Sequence, residues 1–285
     1  MQRRARLLRQ LSAVWRLRLV LVLGCTLFSA ALAWQVALLQ IREGLEQTLL
    51  TSHRALQTEI GRFRYLPRVA GEDMRIHAAL DRPGDPAAIA AANRYLEKIA
   101  TQTGSGRLYL LDARGVTLAS SNWAEPDSYV GHDYSFRPYF TEARATGSGA
   151  VYAIGVTTGE PGYFISARVE DLAHGTSGVI VVKIDLHPLE LAWAETGQHI
   201  AVTDAYGVVF LSSRPDWRYR PLAPLSAEDR ARIAASRLYA GAGLDAAAPL
   251  GGGDGRVRIG GTGAAATLRG TPFEGGWRIV AAAPP

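Results

Sequence analysis

Three patterns of apolar and polar positions follow one another along the chain. Residues 19–39 are an unbroken run of 21 positions without a formal charge. As a helix this run spans about 31 Å, the hydrocarbon thickness of a bilayer. Trp15 and Trp34 stand near its two ends, where interfacial aromatics collect. From residue 40 to 63 the run gives way to a stripe. Ile41, Leu45, Leu49, Leu56, Ile60 and Phe63 recur at three- or four-residue spacing, with a gap at Ser52, among Arg42, Glu43, Glu46, Gln47, Arg54 and Glu59. This predicts a long amphipathic stalk helix whose apolar face packs either on its own domain or on a second copy. Breaks at Pro67 and at Asp81-Arg82-Pro83-Gly84-Asp85-Pro86 end the helical region, and residues 87–103 read as one more helix closed by Gly104.

From Arg107 onward the period is that of strands. Residues 107–112, 116–121, 150–156, 163–169 and 178–186 are strand-like, with turns at Ala113-Arg114-Gly115 and Thr157-Thr158-Gly159-Glu160-Pro161-Gly162. A loop and a short helix, 138–145, lie between the second and third strands. One antiparallel sheet with a pocket on one face follows from this arrangement. The pattern then restarts. Residues 111–121 and 203–213 share Asp, Ala, Gly, Val and a Ser pair in register, 92 residues apart, a spacing that marks a duplicated domain. Helix 187–195 joins the copies, and the second continues with helix 226–239 and strands near 256–259, 265–269 and 277–282. The Ala/Gly-rich piece 240–255 carries no assignable pattern.

Charge removes one class of function. The chain has 31 basic and 26 acidic residues, but Arg3, Arg4, Arg6, Arg9, Arg16 and Arg18 precede the apolar run with no acid among them. The remainder therefore holds 25 basic and 26 acidic groups, a net charge of −1, without the basic footprint of a nucleic-acid binder. The arginine cluster orients the N-terminus to the cytoplasm and the rest outside. Ala31-Leu32-Ala33 resembles a signal-peptide cleavage site, but the apolar run continues past it, so an uncleaved anchor is expected. Cys25 is the one cysteine, and the six histidines lack metal-ligand spacing. No metal and no cofactor are expected, and Gly251-Gly252-Gly253-Asp254-Gly255 lacks the ending of a phosphate loop.

The candidate chemistry centres on Tyr134-Ser135-Phe136-Arg137-Pro138-Tyr139-Phe140. Pro138 holds Arg137 extended and opens a helix, so Arg137 stands at a helix N-terminus among aromatic rings, where a guanidinium fork can take a carboxylate. The competing reading makes the aromatics core and pairs Arg137 with a nearby acid, Asp133 and Glu142 being nearest in sequence. The second copy has no counterpart of this cluster, which points any ligand to the first. Lys183 lies within the apolar strand 178–186 and needs a partner. Either Asp185, two residues on and on the same face, neutralises it, or Lys183 and Arg137 form two cationic poles suited to a dianion. Tyr134, Ser121, Thr157 and Thr158 would then serve as neutral donors. No nucleophile–base pair accompanies them, so the site reads as one that holds and does not react.

Ser121-Asn122-Trp123, Val130-Gly131, the Tyr134 to Phe140 cluster, Thr157-Thr158-Gly159, Val181-Val182-Lys183-Ile184-Asp185-Leu186 and the run from Phe210 to Arg220 occur in an order that resembles the periplasmic sensor region of DctB-type C4-dicarboxylate sensor histidine kinases. The resemblance covers about residues 20–225. It implies an α+β chain: a basic cytoplasmic N-terminus (1–18), a transmembrane helix (19–39), stalk and N-terminal helices (40–104), and two tandem PAS-like (double Cache) domains with five-stranded, mostly antiparallel sheets. The membrane-distal, ligand-binding domain would be 105–186 and the membrane-proximal one 187–285. The implied ligands are succinate, fumarate or malate, held by Tyr134, Arg137, Thr157 or Thr158, Lys183, and also Ser121 and Tyr139. A bacterial inner-membrane location with residues 40–285 in the periplasm, a homodimer formed through the stalk, and a response regulator reached through a kinase domain C-terminal to Pro285 complete the expectation. No kinase activity is expected of these 285 residues. The competing functions are a Cache sensor for amino acids, with Asp185 holding the ammonium, and a dimerisation scaffold without a ligand.

Overall fold

The computed structural model describes residues 2–104, 106–171, 176–244, 249–251, 256–258 and 265–282. The chain divides into two units, residues 1–47 and 48–285. The first is wholly helical. It belongs to α1, Gln2–Phe63, and in its apolar run Leu27, Phe28, Leu32 and Trp34 are 56 to 71% exposed. Among the described residues this is the one helix long and apolar enough to cross a membrane, by length and composition. A helix so apolar with its side chains so exposed suits hydrocarbon better than water.

In the second unit the last part of α1 turns a narrow face inward. Leu49, Ser52, Leu56, Ile60 and Phe63 are all buried, so the stripe packs on the chain's own body and the polar gap at Ser52 lies within it. Pro67 does not break a helix but opens one: α2, Leu66–Gly71, carries the proline in its first turn, where the missing N–H costs nothing. Helices α3, Met74–Asp81, and α4, Pro86–Thr103, follow, begun by Asp73 and Asp85 side chains that accept backbone N–H bonds. Gly104 closes α4 in the left-handed conformation expected of it.

Two five-stranded sheets come next. The first comprises β1 (Arg107–Asp112), β2 (Thr117–Ser120), β3 (Ser148–Ile154), β4 (Pro161–Asp171) and β5 (Thr176–Ile184), with α5 (Pro138–Thr146) between β2 and β3. After the joining helix α6 (His187–Glu195), the second comprises β6 (His199–Thr203), β7 (Val209–Ser212), β8 (Arg256–Arg258), β9 (Ala265–Pro272) and β10 (Arg278–Ala282), with α7 (Ala227–Ser236) between β7 and β8. Strand order is β2-β1-β5-β4-β3 in one and β7-β6-β10-β9-β8 in the other, the same topology in chain order, and every pairing is antiparallel. Each sheet is one PAS-like module. Of the stretch 240–255, residues 245–248 and 252–255 lie outside the described residues, as does Ile259 at the end of the expected strand.

The repeat extends to single hydrogen bonds. Asp112 Oδ1 accepts from the N–H groups of Arg114 and Val116, and Asp204 Oδ1 from those of Tyr206 and Val208, in each case at 2.9 Å. Both turns carry a glycine with positive φ, Gly115 and Gly207. The β1–β2 and β6–β7 ladders each slip by one residue at the equivalent place. Beyond that slip, Ser121 Oγ accepts from Leu108 N and Ser213 Oγ from Ile200 N, both at 3.0 Å. The Asp, Gly and Ser positions shared by the two copies are therefore the parts that shape this turn and bulge.

Candidate functional site

Arg137 sits where its proline neighbour puts it. Its backbone is extended (φ −77°, ψ 135°) at the N-cap of α5, and Pro138 opens the helix. The side chain leaves the helix end and enters the first module's interior, where Arg137 is only 1% exposed. Nη2 donates to the carbonyl of Ile154 at 2.6 Å, and Nη1 to those of Arg237 at 3.0 Å and Ser236 at 3.4 Å, at the C-terminus of α7 in the second module. Among the described residues no carboxylate is its partner. Asp133 accepts from Ser135 N at 2.7 Å and Glu142 from Ala150 N at 3.3 Å, so both nearby acids are engaged elsewhere. Burial pushes the guanidinium below its ordinary pKa, with the phenols of Tyr139, Tyr109 and Tyr134 opposing the shift. An arginine is not deprotonated in a protein, and its five N–H donors exceed what these carbonyls accept. The result is a buried positive charge without a counter-ion among the described residues.

Around it stands a wall of phenols. Arg137, Tyr109, Tyr129, Tyr134, Tyr139, Gly155, Val156, Thr157 and Phe164 line one narrow chamber of about 10 Å³, room for a single water. Tyr109 donates to Tyr139 Oη at 2.8 Å, Tyr134 Oη and Thr157 Oγ1 share a bond of 2.7 Å, and the Tyr139 ring stacks on Phe164 with centroids 5.3 Å apart. Desolvation raises the pKa of all four phenols, that of Tyr129 to about 12. They remain neutral hydroxyls at physiological pH, able to donate to an anion without repelling it.

Lys183 is held differently. In the ladder it pairs with Arg107 on β1 and Phe164 on β4, and so shares a sheet face with the chamber's Tyr109 and Phe164. It is 4% exposed, and burial lowers its pKa, an effect that its bond to Glu160 opposes. Its partner is Glu160, Nζ to Oε2 3.2 Å, and not Asp185, whose carboxylate instead accepts from His187 N at 2.8 Å. The strand stops at Ile184, so the alternation that would place Asp185 beside Lys183 does not extend that far. Lys183 and Glu160 line a neighbouring cavity of about 440 Å³ together with Arg107, Asp185, His187 and Arg218.

No family model matches the chain. It is 38% identical over 200 residues to the C4-dicarboxylate transport sensor protein DctB of Pseudomonas aeruginosa PAO1, a match covering 70% of this chain and 32% of that protein. With DctB of Rhizobium meliloti 1021 it shares 41% identity over 175 residues, 61% of this chain and 28% of the relative. The solved sensor domain of the Vibrio cholerae histidine kinase DctB superposes with a TM-score of 0.76 at 29% identity, over 86% of this chain and 97% of that one. The chain carries a DctB-type sensor region. It spans about a third of the length of the curated DctB relatives it matches.

Within this DctB-type region the residues expected at the site are only partly brought together. Arg137, Tyr134, Tyr139 and Thr157 line the chamber. Thr158 is one residue further along the same loop, where its hydroxyl accepts from Glu160 N at 3.3 Å and also bonds the phenol of Tyr129 on the chamber wall. Lys183 shares the sheet face but opens onto the adjacent cavity, so the two cations do not line one chamber. Ser121 does not line it either: its hydroxyl is spent on Leu108 N. Ser213 makes the same bond in the module that lacks the aromatic cluster, which ties this serine to the fold. Tyr109, Tyr129 and Phe164 are chamber residues that the sequence pattern did not single out. Tyr109 was the most accessible to inference, as the one hydroxyl in Leu108-Tyr109-Leu110-Leu111.

Proposed function

We propose that the first PAS-like module of this DctB-type region binds a C4-dicarboxylate, succinate, fumarate or malate, and that the chain signals its presence across a bacterial inner membrane to regulate dicarboxylate uptake. The observation that carries the reading is Arg137: a buried guanidinium with carbonyl partners only, facing a chamber of neutral phenols. A site of this kind favours a carboxylate, which supplies the missing charge and takes parallel N–H bonds. Tyr134 and Thr157 would contribute hydroxyls, and Lys183 the second cation for the distal carboxylate. Support comes also from the kinship with proteins named as C4-dicarboxylate transport sensors. Since the chamber holds about one water, ligand entry requires its wall to move, and Gly155, Val156 and Thr157 of the loop 155–160 are part of that wall.

In the same reading α1 anchors the chain, residues 40–285 lie in the periplasm, two copies associate through the stalk, and a kinase domain C-terminal to this region passes the signal to a response regulator. The test is a melting curve of the full chain in nanodiscs with succinate, malate, aspartate or buffer. A dicarboxylate at 100 times its dissociation constant should stabilise the fold by about 2.7 kcal/mol. Stabilisation by aspartate alone would point to an amino-acid sensor, and no shift with any of them would contradict ligand binding.

A further inference from the structure

The loop that closes the phenol chamber also carries the counter-ion of Lys183. Gly155 N donates to Glu160 O at 2.9 Å and Gly159 N to Gly155 O at 2.8 Å, with Gly159 at φ +71°, so residues 155–160 form a self-bonded turn. Three side chains fasten it to the module: Thr157 to Tyr134, Thr158 to Tyr129 and Glu160 to Lys183. Entry of a molecule larger than water would have to displace part of this wall, and moving the turn would strain these bonds. The two members of the ion pair stand in unlike surroundings. The Lys183 side chain is 5% exposed and that of Glu160 70%. Withdrawing Glu160 returns one carboxylate to solvent at small cost, but leaves a buried ammonium without its partner, which is expensive. Among the described residues no other carboxylate lies within salt-bridge distance of that ammonium. Gly162 shapes the path of the lysine, because a Cβ there would stand 2.7 Å from Lys183 Cγ and Cε.

We infer that the Glu160 carboxylate is an internal competitor for the ligand's distal carboxylate, seated on Lys183 and displaced by it. The inference rests on the dicarboxylate reading above and adds to it the residue that tunes affinity. Binding becomes an exchange of one carboxylate for another on a single ammonium, and the affinity observed is the difference between the two.

Titration calorimetry of the full chain in nanodiscs with succinate tests this, using the parent chain, Glu160→Gln, Lys183→Met and the double variant, each first shown to melt cooperatively. Glu160→Gln should tighten succinate binding about two- to five-fold, the size of an ion pair with one exposed member. In the Lys183→Met background the same substitution should change nothing, since the competition needs the ammonium. Succinate binding to the parent chain with Glu160→Gln neutral or weakening, or with equal tightening in the Lys183→Met background, would overturn the competitor role and leave the dicarboxylate reading standing. Absence of succinate binding to the parent chain and to every variant would overturn both.

Discussion

Arg137 shows how a residue's local backbone decides what its side chain can do. A following proline removes the helical conformation, the extended backbone swings the guanidinium inward, and the carboxylates nearest in sequence are spent on backbone N–H groups. Arg137→Gln keeps a hydrogen-bonding side chain but removes the charge, and should abolish the succinate-dependent shift in melting temperature while the chain still folds. Circular dichroism melts with and without succinate check this. The phenols lead to a pH prediction. Tyr129 and Tyr163 have their pKa raised to about 12 by burial, against about 10 in the unfolded chain. A folded pKa above the unfolded one means that the native state keeps protons which the unfolded state gives up. That contribution is complete below pH 10 and is lost as pH rises through 12. Denaturation should therefore become steeply easier between these values, and Tyr129→Phe should flatten the dependence; urea titrations across that range would show it.

At the scale of elements, the duplicated turn and bulge form a unit that two serines complete. Ser121→Ala leaves Leu108 N buried without its side-chain acceptor and Ser213→Ala does the same to Ile200 N, so each should cost about 1 to 3 kcal/mol. Similar losses from the two, with succinate affinity unchanged in Ser121→Ala, would place Ser121 in the framework; loss of succinate binding with full stability would make it a ligand contact. Much at this level was legible in sequence. The alternation of residues 107–121 and 150–186, the proline at the head of α5 and the spacing of 92 residues between copies are local signals, and the observed strands, helix and repeat follow them. Tertiary pairings were less legible. Alternation puts Asp185 beside Lys183 only if the strand continues, and it stops one residue earlier. The partner that replaces it, Glu160, is 23 residues away, brought there by a turn and by the β4–β5 register. Tyr109 and Tyr129 were hidden for a related reason: a buried tyrosine in a strand or loop reads as core until the wall it faces is known.

For the whole molecule, the feature that matters is that the chamber's arginine also touches the second module. Ser236 and Arg237 offer their carbonyls to it, and Ile154 N donates to Leu238 O at 2.8 Å close by. The Tyr152 ring of the first module lies 4.3 Å from that of Phe210 in the second, and Tyr163 lies 4.9 Å from Trp277. A ligand that draws Arg137 toward itself changes its differential contacts with the second module, which is what a shift between two conformations requires. With so much shared packing, residues 48–285 should unfold in one calorimetric transition. Phe210→Ala should lower that single transition by about 3 to 5 kcal/mol; two transitions with only one displaced would show independent modules. A crystal structure of the sensor region grown with fumarate would show directly whether a carboxylate sits on the buried guanidinium. One carboxylate should be bonded to Arg137 and Tyr134, and the other should lie on the Lys183 ammonium with Glu160 turned to solvent. Fumarate bound elsewhere, with Arg137 still on the Ile154 and Arg237 carbonyls alone, would contradict this arrangement.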